Sequence, residues 1–405
     1  MKKLRIGILF GGRSGEHEVS LLSAASILKA IDRKKYEVVP IGITKQGRWV
    51  TADAAELLLA NGSAKAEPRP LRAGDPDTTP GAAVLAKGEA VIVPPVPQQA
   101  SQGALVPFET QASTLAADSA RQALQLDVIF PVLHGTFGED GTIQGLLELA
   151  GIAYVGSGVL GSATGMDKDI MKRLFASAKL PITRHVTFLR PEWEKNPRKI
   201  TTQIEAALKY PVFVKPANLG SSVGISKARD RKELKAAIEL AAGFDRKIVV
   251  EQAVGGRGAR GKPGKARELE VAVLGNNAPE ASVVGEIVPG KEFYDYEAKY
   301  LSEGSVPIIP ARLTKAQSRQ IREMAVAAFR ACDCAGLARV DFLMEPGASG
   351  RIYLNEINTL PGFTSISMYP KLWEASGLPY PKLIDRLIEL ARERRAEQDR
   401  NRYSL

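Results

Sequence analysis

Asp341, Glu356 and Asn358 are the side chains whose types and spacing point most directly to chemistry. They lie in Arg339–Met344 and Arg351–Asn358, two runs that alternate polar and apolar residues around a Gly-containing turn at Pro346–Gly350. That pattern predicts an antiparallel hairpin. At a period of two residues Glu356 and Asn358 share one face, and Asp341 on the partner strand can face them. Two carboxylates and an amide oxygen on a rigid sheet form a hard-oxygen set suited to Mg²⁺, which keeps several waters and completes its shell with substrate phosphates. The plain alternative is a solvated sheet face with scattered acids, and on the hairpin alone the two readings stand level. The polar, Gly/Pro-punctuated loop Asn358–Thr364 then favours a site, because its backbone amides are placed to meet a ligand.

The preceding chain must position this hairpin. Leu4–Phe10 reads as a buried strand ending in Gly11–Gly15, and Glu16–Ile31 as a helix with Val19, Leu22, Ile27, Leu28 and Ile31 on its apolar face. The helix start would attract an anion, but the G-x-G-x-x-G dinucleotide spacing is missing. Val38–Ile43 is the second strand, so a doubly wound α/β domain begins here. Residues 51–121, rich in Ala, Pro and Gly, read as a long peripheral insertion, partly ordered at best. Leu126–Leu133 is a strand with His134 at its carboxyl end, followed by a helix through Ala150. His134 sits where α/β sheets place ligand contacts, and a structural role stands equally with a binding one.

The pattern shifts near Gly156–Gly158, which divides the chain into an N-terminal α/β domain (1–156), a central part (157–249) and a C-terminal part (250–405). Asp167-Lys168-Asp169 opens an amphipathic helix that closes before Pro181. Tyr210–Lys215 is a strand, and the Gly- and Ser-rich loop after it leads to a second strand beginning near Val223. The loop's amides and hydroxyls can close over phosphates, with Lys215 as a point charge. Ile248–Ala253 and Arg267–Leu274 are further strands, with the basic, aperiodic stretch Val254–Ala266 between them. Gly285–Glu292 has a P-loop-like look but no Ser or Thr after Lys291, so that reading is rejected. Tyr294–Tyr300 carries three tyrosines and Lys299 ahead of an expected loop, Leu301–Pro310, which suggests that something docks there. Thr314–Ala331 is a helix with Thr314 and Gln317 as its capping box, and Pro381–Asn401 closes the chain as a helix.

Composition narrows the function classes. At 405 residues the chain has room for two to three domains, and 44% hydrophobic with 25% charged residues is ordinary for a globular protein. No apolar run approaches the ~18 residues of a membrane span. The apolar run after Lys3 breaks at Gly11-Gly12, unlike a secretory signal. Cys332 and Cys334 read as core thiols, and a cytoplasmic location is expected. A net charge of +10 raises nucleic acid as a partner. The basic residues are scattered, however, and the tail Arg392–Arg402 interleaves Arg with acids as a solvated helix does. An anionic small substrate suits the charge equally, and neither nucleic acid nor membrane is expected as a partner.

GGRSGEHEVSL, LHGTFGEDGTIQGLLE, GSGVLGSATGMDK, VKPANLGSSVGISK, YDYEAKY and ARVDF…YLNEINTLPGFT occur in that order between about Leu4 and Leu390. Together they resemble the D-alanine–D-alanine ligases of the ATP-grasp superfamily. The resemblance implies an ATP-grasp fold behind the N-terminal α/β domain, with ATP between two antiparallel sheets and D-alanine toward the first domain. It implies that ATP phosphorylates one D-alanine carboxylate and that the amine of a second D-alanine attacks the acyl phosphate, supplying peptidoglycan synthesis. It implies two Mg²⁺ ions, with Mn²⁺ able to substitute, one on Asp341 and Glu356 and the other on Glu356 and Asn358. Arg339 and the N–H of Gly362 would hold the oxyanion of the tetrahedral intermediate. Lys168 and Lys215 would grip the ATP phosphates, Glu251 would accept a hydrogen bond from the adenine side, Glu268 would bind the ribose hydroxyls, and Val254 would belong to the same nucleotide-binding set. Glu16 would pair with the first ammonium and join Ser221 and Tyr300 in a hydrogen-bonded triad. His134 would lie near the first substrate, with Ser367 and Lys299 near the second and the transferred phosphate. A homodimer is expected on the same ground.

Two departures stand out. Gln252 replaces a Lys of some members, which puts one adenine contact in doubt, and the basic insertion Gly256–Ala266 is expected to be mobile and dispensable for ATP binding. The nearest rivals are the D-alanine–D-lactate and D-alanine–D-serine ligases. The D-lactate enzymes of vancomycin resistance lack the YEAKY loop carried here as Tyr296–Tyr300. From another class, a basic ATP-binding protein without ligase activity would need the same residues to be present but idle.

Overall fold

The apolar run Leu4–Gly11 becomes β1, the middle of a five-stranded sheet, because Ile6, Ile8, Leu9 and Phe10 have no exposed surface at all. The computed structural model describes residues 3–51, 91–93, 103–107, 124–257, 263–288, 306–347, 350–364 and 366–402. Its contacts divide the chain into two units, one of Met1–Val159, Leu360–Pro370 and Leu378–Leu405, the other of Leu160–Thr359 and Lys371–Gly377.

In the first unit β1 is followed by α1 (His17–Ala30), β2 (Tyr36–Ile43), β3 (Trp49–Thr51), β4 (Val91–Ile92), β5 (Gly103–Pro107), β6 (Leu124–Leu126), β7 (Val128–Val132), α2 (Thr142–Leu149) and β8 (Ala153–Tyr154). The main sheet runs β3-β2-β1-β7-β8, and β1 pairs in parallel with both β2 and β7. The α1 face differs from the expected one: Leu22 is exposed, while Ser20 and Ser23 are fully buried. Ser20 Oγ donates to the Val132 carbonyl and accepts from Gly11 N at 2.7 Å, so a hydroxyl with backbone partners takes the place an apolar side chain was expected to fill. Part of the 51–121 insertion also belongs to the core. Val91 and Val93 are buried against Ile41, Leu126 and Ile129, and β4, β5 and β6 form a small antiparallel sheet.

The second unit holds α3 (Val159–Met166), α4 (Lys168–Ser177), β9 (His185–Leu189), α5 (Arg190–Lys195), α6 (Pro197–Ala207), β10 (Val212–Pro216), β11 (Ser226–Ala228), α7 (Arg231–Phe244) and β12 (Lys247–Gln252). It continues through β13 (Gly255–Arg257), β14 (Pro263–Lys265), β15 (Arg267–Gly275), β16 (Glu280–Val288), β17 (Val306–Ile308), α8 (Lys315–Ala331), β18 (Gly336–Met344) and β19 (Ile352–Asn358). One antiparallel sheet runs β11-β10-β12-β9 and packs Val212, Val250 and Phe188 against Ile204, Leu234 and Ile238. The other runs β17-β16-β15-β18-β19 and packs Leu269, Val271, Val340 and Phe342 against Phe329 of α8 and Phe175 of α4. Thr314 and Gln317 form the expected capping box. Cys332 and Cys334 are buried thiols outside any disulfide, and burial pushes Cys332 up to about 12, so it is inert at neutral pH.

Three local expectations change here. β11 starts at Ser226 rather than near Val223, because Ser221 (φ 48°), Ser222 (φ 60°) and Gly224 (φ 70°) are left-handed and break the extended run. Val306–Ile308, expected as loop, is an edge strand on β16. The aperiodic Gly-rich stretch before Arg267 forms an antiparallel ribbon of β13 and β14, whose ladder needs no side-chain alternation; its residues 258–262 lie outside the described residues. After the second sheet come α9 (Met368–Ala375) and α10 (Tyr380–Gln398), the latter burying Leu383, Ile384, Leu387 and Ile388.

Candidate active site

Strands β18 and β19 bring Asp341 directly opposite Glu356, and Arg339 directly opposite Asn358. A bulge makes this arrangement work. Strict alternation would put Ile352, Leu354, Glu356 and Asn358 on one face, yet Ile352 and Leu354 share the core with Ile357. The pairing slips between Phe342↔Leu354 and Asp341↔Glu356, so Asn355 is the extra residue that resets the phase. Core side chains therefore point inward on both halves of β19, and Glu356 and Asn358 emerge beside Asp341.

The face is tightly paired. Arg339 grips Asp341 with a two-pronged contact, Nε to Oδ1 and Nη2 to Oδ2, both at 2.7 Å. Its Nε also lies 3.2 Å from Glu270 Oε2, and Asn358 Nδ2 donates to Asp341 Oδ2 at 3.0 Å. Glu270 on β15 is opposite Asp341 in register, so Glu270, Asp341 and Glu356 form one row across three strands. Among the described residues no three His, Cys, Asp or Glu side chains converge as a metal cluster. Arg339 thus pairs with both Asp341 and Glu270, and Asp341, Glu356 and the Asn358 amide oxygen are the oxygen donors the hairpin brings to this face. That hard-oxygen set fits Mg²⁺.

A second constellation is built on β10, β12 and α4. Glu251 is buried, and its Oε2 accepts from Lys215 Nζ at 3.1 Å and from Thr183 Oγ1 at 3.3 Å. Its Oε1 lies 3.3 Å from Nζ of Lys172, a lysine with no exposed surface. Burial would raise the Glu251 pKa, but Lys172 and Lys215 together prevail and hold it at about 2. Lys168 is buried and donates to the Leu219 carbonyl at 2.6 Å, fixing the start of the loop that carries Ser221. The left-handed Ser221 and Ser222 store backbone strain in that loop. Glu268 is half-buried on β15, and Val254 half-buried between β12 and β13. Gln252 is engaged elsewhere: its amide exchanges two 2.6 Å hydrogen bonds with the Lys209 backbone.

The Glu251 shift carries a prediction. Its folded pKa of about 2 lies below the ordinary 4.5, so its stabilisation is complete above pH 4.5 and is lost as pH falls toward 2. The difference corresponds to about 3 kcal/mol. Glu251→Gln is expected to flatten the acid limb of stability by about 2 kcal/mol between pH 5 and pH 2.5, the part of the loss that falls in that window, read from urea midpoints at the two values. An unchanged acid limb would refute it.

In the first unit Glu16 is buried at the start of α1; Gly135 beside it is left-handed (φ 75°), which favours glycine, and a Cβ there would come 2.5 Å from Glu16 Oε2 and push the carboxylate aside. His134 is buried, with Nδ1 3.0 Å from the Leu360 carbonyl and Nε2 3.2 Å from Ser23 Oγ. A carbonyl only accepts, so Nδ1 carries a proton and donates to Leu360, while Nε2 shares a hydrogen bond with the Ser23 hydroxyl. Ser23 Oγ in turn accepts from Phe363 N at 3.2 Å, and Glu139 accepts from both Gly135 N and Leu360 N. The imidazole thus orients the loop bearing Gly362. A Cβ on Gly362 would come 2.8 Å from Ser367 Oγ, which itself accepts from Thr364 N at 3.0 Å.

Residues 5–157 match the family profile described as D-ala D-ala ligase N-terminus, and residues 174–389 that described as D-ala D-ala ligase C-terminus. The chain belongs to the D-alanine–D-alanine ligase family. It is similar to a D-alanine–D-alanine ligase of Natranaerobius thermophilus, 48% identical over 99% of this chain and 98% of the relative. A second such ligase, from Bacillus cytotoxicus, is 45% identical over the full length of both. Among solved structures, the D-alanine-D-alanine ligase of Coxiella burnetii superposes with a TM-score of 0.76 at 33% identity, covering 98% of this chain and 97% of that one. The VanG D-Ala:D-Ser ligase of Enterococcus faecalis gives 0.77 at 35%, covering 96% and 100%. The fold is therefore ATP-grasp behind an N-terminal α/β domain. No helix among the described residues is long and apolar enough to cross a membrane.

Of the residues expected to act in such a ligase, the structure brings together Arg339, Asp341, Glu356 and Asn358 on one sheet face. It also joins Lys215 with Glu251, and Gly362 with Ser367. Glu16 belongs to the first unit and Ser221 to the second, while Lys299 and Tyr300 lie outside the described residues. Sequence reading missed Glu270, Lys172 and Glu139. The alternation of RELEVAVL already puts Glu270 on the same face as Glu268, so that signal was present. Nothing local marks Lys172 as a buried partner of Glu251.

Proposed function

We propose that this chain joins two D-alanine molecules into D-alanyl-D-alanine with ATP, through an acyl phosphate, as a step in supplying peptidoglycan precursors. The observation that carries the reading is the sheet face where Asp341 and Glu356 meet across the hairpin with Asn358 beside them and Arg339 locked onto Asp341. A carboxylate is a poor electrophile. Transfer of the γ-phosphoryl group to a carboxylate oxygen of the first D-alanine releases ADP and creates a leaving group. The amine of the second D-alanine then attacks the acyl carbon, the C–N bond forms, the C–O bond to phosphate breaks, and the ammonium proton is lost.

Asp341 and Glu356 would hold one Mg²⁺, and Glu356 and Asn358 a second; bound there, the ions offset the negative charge gathered on the phosphates. Lys168 and Lys215 bind phosphates, Glu251 and Val254 the adenine, and Glu268 the ribose. Arg339 and Gly362 N–H donate to the tetrahedral oxyanion, a role worth about 3 kcal/mol each. Glu16 takes the first ammonium and, with Ser221 and Tyr300, closes the site against water, which would otherwise hydrolyse the acyl phosphate. His134 orients the first substrate's surroundings, and Lys299 and Ser367 serve the second substrate and the transferred phosphate. The protein works as a cytoplasmic homodimer.

Preference for an amine over a hydroxy-acid nucleophile rests on the Tyr296–Tyr300 sequence, and the choice of D-alanine over D-serine is supported by full-length relatives, 45–48% identical, that carry the D-alanine–D-alanine ligase name. The test offers D-alanine together with D-lactate or D-serine near neutral pH. D-alanyl-D-alanine is the expected main product, and predominant depsipeptide or D-alanyl-D-serine would overturn the choice. ATP turnover that ignores D-alanine would overturn ligation altogether.

A further inference from the structure

Lys172 has no part in the reaction as described, yet it is the charged side chain buried most completely beside the nucleotide-binding candidates. Its ammonium lies 3.3 Å from Glu251 Oε1 and donates to the Asn355 carbonyl at 3.3 Å. It therefore links β12 of one sheet to the bulge of β19 in the other. Glu251 has two lysine partners, one on each carboxylate oxygen, and their surroundings differ. Lys215 comes from β10, which leads directly into the Ser221 loop, and its side chain keeps 11% exposure; Lys172 comes from α4 and keeps none. Only Lys215 can turn toward an anion without leaving a cation stranded in the core.

We propose that Lys172 is a positioning residue for nucleotide binding: it holds the Glu251 carboxylate in place so that Lys215 is free to leave Glu251 for a nucleotide phosphate. Without Lys172, each phosphate contact by Lys215 would strand a buried carboxylate, and binding would weaken. The inference rests on the nucleotide reading of Glu251 and Lys215 given above.

The test is ADP binding by calorimetry to the full chain carrying Lys172→Met, Glu251→Gln, both changes, or Lys215→Met, with melting temperatures to establish folding. Lys172→Met is expected to weaken ADP about tenfold. Once Glu251 is neutral the lysine has nothing to hold, so the double variant should bind ADP as Glu251→Gln does. That second comparison decides the matter even if Lys172→Met alone does not fold. A further tenfold loss in the double variant, or unchanged ADP binding by a folded Lys172→Met, overturns the proposal. If neither Lys215→Met nor Glu251→Gln weakens ADP, the nucleotide reading of the pocket fails instead.

Discussion

Glu356→Gln is expected to lower D-alanine-dependent phosphate release by about a thousandfold or more, equivalent to about 4 kcal/mol of lost transition-state stabilisation. The melting temperature should stay within about 3 °C of the parent. Glu356 faces Asp341 across the hairpin on the solvent side, while the neighbours that fix β19, Leu354 and Ile357, are buried and untouched by the change. Glutamine keeps the shape and removes one of the two charges that make this face a cation site. Steady-state phosphate release and a melting curve on one preparation give both readouts. Activity above about a tenth of the parent would mean that Glu356 does not serve the phosphates, and the reading of the hairpin would fall with it.

Arg339 should show the second largest effect, in two separable parts. Removing the guanidinium in Arg339→Met takes away the counter-charge that Asp341 and Glu270 share, and breaking such a buried pair costs about 3 kcal/mol of stability. It also removes a donor to the tetrahedral oxyanion, so kcat should fall by about a hundred- to a thousandfold. Arg339→Lys keeps the charge and loses the planar fork, and is expected to recover most of the stability and little of the rate. Adding Glu270→Gln to Arg339→Met removes one stranded carboxylate and should return part of the stability with no activity. Urea midpoints and turnover measured side by side check this; rate and stability recovering together in Arg339→Lys would show that Arg339 acts through the fold alone.

Much of the architecture could be read from local pattern. The hairpin, the capped helix α8 and the strand at the amino terminus each carry a periodicity that their own core enforces. What escaped depends on partners distant in sequence. Leu22 looked like a core residue because the buried hydroxyls of Ser20 and Ser23 are acceptable only with backbone groups that the sequence does not reveal. Val306–Ile308 is a strand because β16 lies beside it. Val91 and Val93 sit in a stretch of weak periodicity and are nonetheless buried. At the site, residue types were legible and allegiances were not. Gln252 is bound to the backbone of Lys209, and His134 uses both ring nitrogens on Leu360 and Ser23.

The extra residue at Asn355 separates what the two halves of β19 answer to. Before it, side chains pack against α4 and α8; after it, Glu356 and Asn358 stand opposite Asp341 and Arg339 while Ile357 still fills the interior. Deleting Asn355 would force a choice between exposing Ile352 and Leu354 and drawing Glu356 and Asn358 inside. Removing one residue there would thus do more harm than replacing either side chain.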